Sequence, residues 1–124
     1  MSECFFCKSI NNHDFELENE FAIARFDDFP VSKGHLEVIP KRHVKDWWEA
    51  TTEERLAIIN LLDEAKKIID EKYKPVAYNI GMNLGEQAGQ SVMHLHVHLI
   101  PRYDGDVPNP RGGVRGVIPQ KQNY

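Results

Sequence analysis

Hydrophobic and polar positions alternate most regularly in the last third of the chain. In His94-Leu95-His96-Val97-His98-Leu99-Ile100 the residues between the histidines are aliphatic, and Pro101 stops the run. Period-two alternation predicts a β-strand with Leu95, Val97 and Leu99 turned into a core. Residues 21–26 and 35–39 read as two more strands, the second closed by Pro40. The turn residues Asp27, Asp28 and Pro30 lie between them, which predicts an antiparallel pair. Residues 76–83 make a further strand, expected to form a hairpin with the histidine strand. In the middle of the chain the period lengthens. Leu56, Ile59 and Leu62, and then Ile58, Leu61, Ala65, Ile68 and Ile69, recur at helical spacing. Thr51 and Glu54 form a capping box and Pro75 is a stop, so the main helix is expected from about Thr52 to Tyr73. Residues 43–50 are ambiguous and suit a short helix, with Trp47 and Trp48 in a core or interface. Residues 102–124, rich in Gly, Pro and Arg, read as a tail without regular structure.

The strand pattern changes the meaning of the histidines. Side chains two apart on a strand share a face, so His94, His96 and His98 should line one side together. A single histidine in a strand is usually a satisfied polar residue. Three in a row on one face are hard to explain by packing, and imidazole near neutrality serves as nucleophile, acid, base or metal ligand. The approach Gly85-Glu86-Gln87-Ala88-Gly89-Gln90-Ser91 is polar and carries glycine. Gly89 lets backbone N–H groups come close to a ligand, and Gln90 and Ser91 add side-chain donors. Donors beside histidines suit a phosphate or another oxyanion.

Composition narrows the class. A chain of 124 residues fits one domain with room for a core, here residues 1–124. Fifteen Lys and Arg against nineteen Asp and Glu give a net charge of −4. That argues against a general nucleic-acid binder but leaves room for a small phosphorylated substrate held by a local field. The apolar runs are too short to span a membrane, and the first residues lack a basic-then-apolar signal. The expected location is the cytoplasm, where thiols stay reduced. The pair Cys4 and Cys7 in Cys4-Phe5-Phe6-Cys7 reads as half a zinc site, a redox pair or a disulfide. Asp27 and Asn83 read equally well as turn residues, and Arg111 and Arg115 as members of a flexible end or as forks for phosphate oxygens.

The run from Gly89 to Ile100, Gly-Gln-Ser followed by three histidines alternating with apolar residues, closely resembles the signature of the histidine triad superfamily of nucleotide hydrolases and transferases. The resemblance covers residues 4–101. It implies an α+β fold with a roughly five-stranded, mainly antiparallel sheet and two helices, usually as a homodimer. It implies hydrolysis at the α-phosphorus of an adenine nucleotide, of dinucleoside polyphosphate type, through a covalent nucleotidyl intermediate on His96. His98, His94, Gln90 and Ser91 would complete the catalytic group, with His98 and the donors near Gly89 holding phosphate oxygens and His98 also able to protonate the leaving group. Asp27 would receive the ribose hydroxyls, Asn83 and Gly89 would sit near phosphate, and Phe5 or Phe6 would line the base pocket. Zinc-binding members use a Cys pair, a His after Pro-Lys-x-His and the first triad His, which here are Cys4, Cys7, His43 and His94, in a structural role. No organic cofactor is implied. A phosphoramidate hydrolase of the same superfamily is the nearest alternative. Two further readings are a metal enzyme with His94, His96 and His98 around a catalytic ion, and a nucleotide-binding protein with little turnover.

Overall fold

A computed structural model describes residues 4–124. The elements run α1 (Phe5–Asn11), β1 (Leu17–Glu18), β2 (Ala22–Phe26), β3 (Leu36–Pro40), α2 (Thr52–Tyr73), β4 (Ala77–Gly81) and β5 (Val97–Arg102). Short 3-10 turns lie between β4 and β5 (Glu86–Ala88) and after β5 (Gly113–Val117 and Pro119–Lys121). The strands form one sheet in the order β1-β2-β3-β5-β4, with every neighbouring pair antiparallel. The fold is therefore the expected α+β sheet with two helices. No described helix is long and apolar enough to cross a membrane.

α2 starts where its capping box sets it. Glu54 N–H donates to Thr51 Oγ1, and Thr51 N–H donates back to Glu54 Oε1. Lys74 then takes a left-handed conformation and ends the helix before Pro75. Ala57, Ile58, Leu61, Ala65 and Ile69 bury one face of α2 against Ala24, Val38, Val97, Leu36 and Leu99 of the sheet. Leu56, Ile59 and Ile68 lie on the outer side and stay exposed. The opposite face of the sheet is smaller. There Phe6 of α1 packs on Ile23 and Ile39.

Several elements depart from the sequence reading. α1 and the two-residue β1 are not signalled by periodicity, because about two helical turns and a single strand period are too short for a repeat to be recognised. Residues 43–50 form bends and a turn: Asp46 caps it through the N–H groups of Trp48 and Glu49, Ala50 N–H closes on Trp47 O, and the chain then re-caps at Thr51 before a helix can extend. Trp47 joins the core and Trp48 is exposed. The tail contains the two 3-10 turns from Gly113 onward.

The histidine strand is displaced. β5 begins at Val97, so His94 and His96 precede it. Leu95 N–H leaves the ladder for Val44 O (2.8 Å), and the His94 carbonyl is taken by the ring of His96 (2.9 Å). The alternation survives, because Leu95, Val97 and Leu99 are all buried on the α2 side. Pro101 does not stop the strand, which continues to Arg102. Val76 N–H donates to Arg102 O, so Pro101 turns its missing donor the other way. There the ladder with β3 has already ended at Leu99, and no strand asks for a proton.

Candidate functional site

The site lies on the α1 face of the sheet. Arg25 of β2, Glu37 of β3 and His98 of β5 are register partners in turn and share that face, with Gly81 of β4 closing the row. His35 stands two residues before Glu37, and His96 two before His98.

Each histidine has a different hydrogen-bond partner, and the partners fix the tautomers. A carbonyl can only accept. His94 therefore donates through Nε2 to Pro40 O (2.8 Å), which leaves Nδ1 with a lone pair. His96 donates through Nδ1 to His94 O (2.9 Å), which leaves the lone pair on Nε2. Phe6 holds the other side of the His96 ring, with centroids 4.9 Å apart. Val31 N–H donates to His35 Nδ1 (3.1 Å), so the His35 proton sits on Nε2 and is donated to His98 Nδ1 (2.9 Å). His98 is left as an N–H donor through Nε2. Burial, then the neighbouring His96 and His35, lower His98 to about 4, so the ring is neutral at pH 7. Burial lowers His94 to about 4 as well. A neutral His98 is a poor general acid, which weighs against its expected role in protonating a leaving group.

His94 Nδ1 faces the cysteines. It lies 3.4 Å from Cys4 Sγ and 3.5 Å from Cys7 Sγ, and His43 Nδ1 lies 3.3 Å from Cys7 Sγ. All four ligand atoms fall within 4.8 Å of one another. A tetrahedral zinc with one sulfur and one nitrogen ligand puts those atoms about 3.6 Å apart, so the four residues can hold such an ion. The His94 Nε2–H bond to Pro40 O orients the ring as ligating imidazoles are usually oriented. Asp27, His35 and His98 also cluster. There the Val31 N–H occupies one His35 nitrogen and the other carries a proton, so this neutral ring has no lone pair to offer an ion. The three triad histidines do not converge on one centre either, since His94 Nδ1 is turned to the thiols and His96 Nδ1 to a carbonyl.

Asp27 lies beside His35 and His98, with Oδ2 3.6 Å from His35 Nε2 and 3.9 Å from His98 Nδ1. Its Oδ1 accepts from Phe29 N–H (2.8 Å). Burial opposes its ionisation, but the Phe29 N–H, a hydrogen bond from Glu37 and the two histidines outweigh this and hold the carboxyl below its ordinary range.

The approach loop is braced by Gln90. Its Oε1 accepts from Gly85 N–H (2.9 Å), and its Nε2 donates to Lys45 O (2.8 Å) and Val92 O (3.1 Å). The side chain is buried and spends its donors on backbone carbonyls. Ser91 and Gly89 are exposed at the loop surface. Gly89 adopts a left-handed φ of 98°, and a Cβ there would lie 3.8 Å from Asn83 Cγ. Gly89 and Asn83 are thus neighbours. Phe6 is 3 % exposed and offers no surface to a base, whereas Phe5 is open and carries the Arg25 guanidinium 5.0 Å from its ring centre.

A cavity of about 800 Å³ opens beside His98. His35, Asn79 and Asn83 contribute from the sheet side, and Val114, Val117 and Gln122 from the tail. Arg102 reaches it already paired with Asp106 (2.7 Å) and Asn79 (2.7 Å). Arg111 and Arg115 do not line it. Their guanidinium carbons lie 4.6 and 4.7 Å from the Tyr124 ring centre, and Arg115 Nε donates to Lys121 O. Their expected role as phosphate forks is not supported by this arrangement.

The site thus combines one imidazole with a free, oriented lone pair, a neutral N–H donor beside it, a carboxylate and a four-ligand cluster. Residues 10–105 match the HIT domain family, and the chain belongs to that family. Protein hit of Bacillus subtilis is 38 % identical over 103 residues, covering 81 % of this chain and 71 % of that protein. AP-4-A phosphorylase of Mycobacterium tuberculosis is 38 % identical over 79 residues, which cover 63 % of this chain and 40 % of that protein. The crystal structure of a HIT family protein from Bacillus anthracis superposes with a TM-score of 0.78 at 38 % identity, covering 84 % of this chain and 76 % of that one. A zinc-bound histidine triad family protein from Mycobacterium smegmatis superposes with a TM-score of 0.77 at 28 % identity, covering 87 % and 81 %.

His35, Arg25 and Glu37 were not legible as site residues. His35 reads as a strand residue until the ladder sets it against His98. Glu37 carries the one available signal, a charged residue inside the otherwise apolar run of residues 36–39.

Proposed function

We propose that this protein hydrolyses adenine nucleotides of dinucleoside polyphosphate type at the α-phosphorus. The observation that carries the reading is the His96 Nδ1–H bond to the His94 carbonyl (2.9 Å), which directs the Nε2 lone pair outward as a nucleophile. Nε2 attacks phosphorus, the bond to the leaving phosphate oxygen breaks, and the ring becomes a nucleotidyl-imidazolium. The Nδ1–H stays on the His94 carbonyl and stabilises the positive charge. Water then attacks the phosphorus, a P–O bond forms as the P–N bond breaks, AMP leaves, the proton of the water passes to solvent and neutral His96 is regenerated. His98 Nε2–H supports a non-bridging oxygen as charge moves onto it. Because His98 is neutral, a leaving group that departs as a phosphate anion without taking a proton suits the site best. The kinship with AP-4-A phosphorylase points the same way. Asp27 receives sugar hydroxyls, and Asn83 with the Gly89 backbone attends the phosphate.

Cys4, Cys7, His43 and His94 hold zinc in this reading. When bound, the ion ties the N-terminal segment to the chain before β5, and it takes no part in the chemistry at His96. The protein acts as a cytoplasmic homodimer. A phosphoramidate hydrolase is the second reading, favoured by the lack of a free guanidinium among the residues around the cavity. Rapid quench of the protein with diadenosine tetraphosphate, followed by mass spectrometry of the peptide containing His96, tests the proposal. An added AMP on His96 is expected. Turnover of this substrate with the adduct never found on His96 would refute it.

A further inference from the structure

β3 buries a carboxylic acid between two active-site strands. Leu36 and Val38 enter the α2-side core, so Glu37 faces the other way, opposite Arg25 and His98 in register. It is 3 % exposed. A charge at such a site must be paired or neutralised. Arg25 Nη1 donates to Glu37 Oε1 (3.0 Å), but the same guanidinium serves Asp14 (3.2 Å) and Asp28 (3.3 Å). Asp27 reaches the same row from the loop after β2, its Oδ2 3.6 Å from His35 Nε2 and 3.9 Å from His98 Nδ1, which brings its carboxyl beside that of Glu37. Carboxyls that share a hydrogen bond need one proton between them, because two carboxylates there would only repel. Burial, and then the charge of Asp27, push Glu37 up to about 8 against the pull of Arg25. Asp27 moves the opposite way, so the proton resides on Glu37.

We propose that Glu37 is a positioning residue for Asp27, donating a carboxyl O–H to the Asp27 carboxylate and fixing it beside His35 and His98 for the hydroxyls of a nucleotide sugar. The proposal rests on the nucleotide reading above. Phe29 N–H anchors Asp27 from the backbone, and Glu37 supplies the second anchor from the sheet. The ionisable groups around Glu37 are Arg25 from β2, Asp27 from the loop after it, His35 from its own strand and His98 from β5, with Asp14 and Asp28 acting through Arg25. Raising the pH through the Glu37 transition removes the donor and sets two like charges together. Affinity for the sugar is then lost on the alkaline side.

AMP binding to the full chain, by calorimetry at about pH 7 and about pH 9, tests this. Wild type is expected to lose about tenfold in affinity across that interval. Glu37→Gln keeps an N–H donor for Asp27 and an acceptor for Arg25, so it should change by less than about twofold. Parallel losses in the two proteins would overturn the proposal. Carbon-13 titration of the carboxyl groups without nucleotide gives an independent reading. The Glu37 midpoint is expected above the ordinary carboxylate range and should fall in Asp27→Asn, which lifts the repulsion. A Glu37 midpoint in the ordinary range in wild type would overturn the pair itself. If the titration comes out as expected and AMP does not bind at either pH, the nucleotide reading fails and takes the sugar-holding duty of Asp27 with it.

Discussion

The ring of His96 hydrogen-bonds to the carbonyl of His94, 2.9 Å away, so one member of the triad sets the tautomer of the next through the backbone. This bond explains why β5 starts late. The carbonyl that a longer strand would give to its neighbour is used to orient a side chain.

His96→Ala removes the nucleophile and leaves Asp27, His35 and His98 in place. Turnover of diadenosine tetraphosphate should fall by a factor on the order of 10³ or more. AMP affinity should stay within a few fold. A product assay alongside calorimetry checks both, and retention of near wild-type turnover would remove His96 from its role.

The Cys4, Cys7, His43 and His94 cluster predicts a zinc-dependent stability. Free zinc at about a thousandfold over its Kd should add about 4 kcal/mol relative to a chelated sample. Metal analysis should return one zinc per chain, and Cys4→Ser should abolish the gain seen in thermal melts.

Arg111 and Arg115 flank Tyr124 and do not line the cavity by His98. Replacing both with Ala should change KM for a dinucleoside polyphosphate by less than about threefold, as for surface charges of little net worth. A tenfold or larger rise in KM, with melting unchanged, would return them to the phosphate.

The start of α2 predicts an acid-sensitive contact. Arg42 donates to Glu54 through Nε and Nη2 (both 2.9 Å), and that pairing, against burial, holds Glu54 below its ordinary range. The stability it contributes is present above the unfolded carboxylate pKa and is lost as pH falls through the folded one. Urea melts of Glu54→Gln should therefore lose less stability than wild type on acidification. Thr51→Ala should cost about 1 kcal/mol at neutral pH.

What the sequence made legible follows from how local each signal is. The capping box at Thr51 and Glu54 and the stop at Pro75 act within a few residues, and α2 begins and ends where they place it. The alternation around the histidines correctly sorted Leu95, Val97 and Leu99 into the core. The start of the ladder at Val97 was hidden, because it depends on Val44 and Pro40, some fifty residues away in sequence. Residue type alone made Gln90 a donor for a ligand and left Arg115 open between a phosphate fork and a flexible end. Their partners, Lys45 O and the Tyr124 ring, are set by tertiary packing. Glu37 shows the reverse case, a visible irregularity whose purpose emerges only when Arg25, Asp27 and His98 are drawn around it.

α1 has seven residues, too few for a helix to persist on its own in water. Phe6, between the two cysteines, presses on the ring of His96 and drops into the pocket of Ile23 and Ile39. The firmness of that backstop is therefore borrowed from the anchorage at His43 and His94. Loosening either thiol should blur the aim of an imidazole that neither thiol touches.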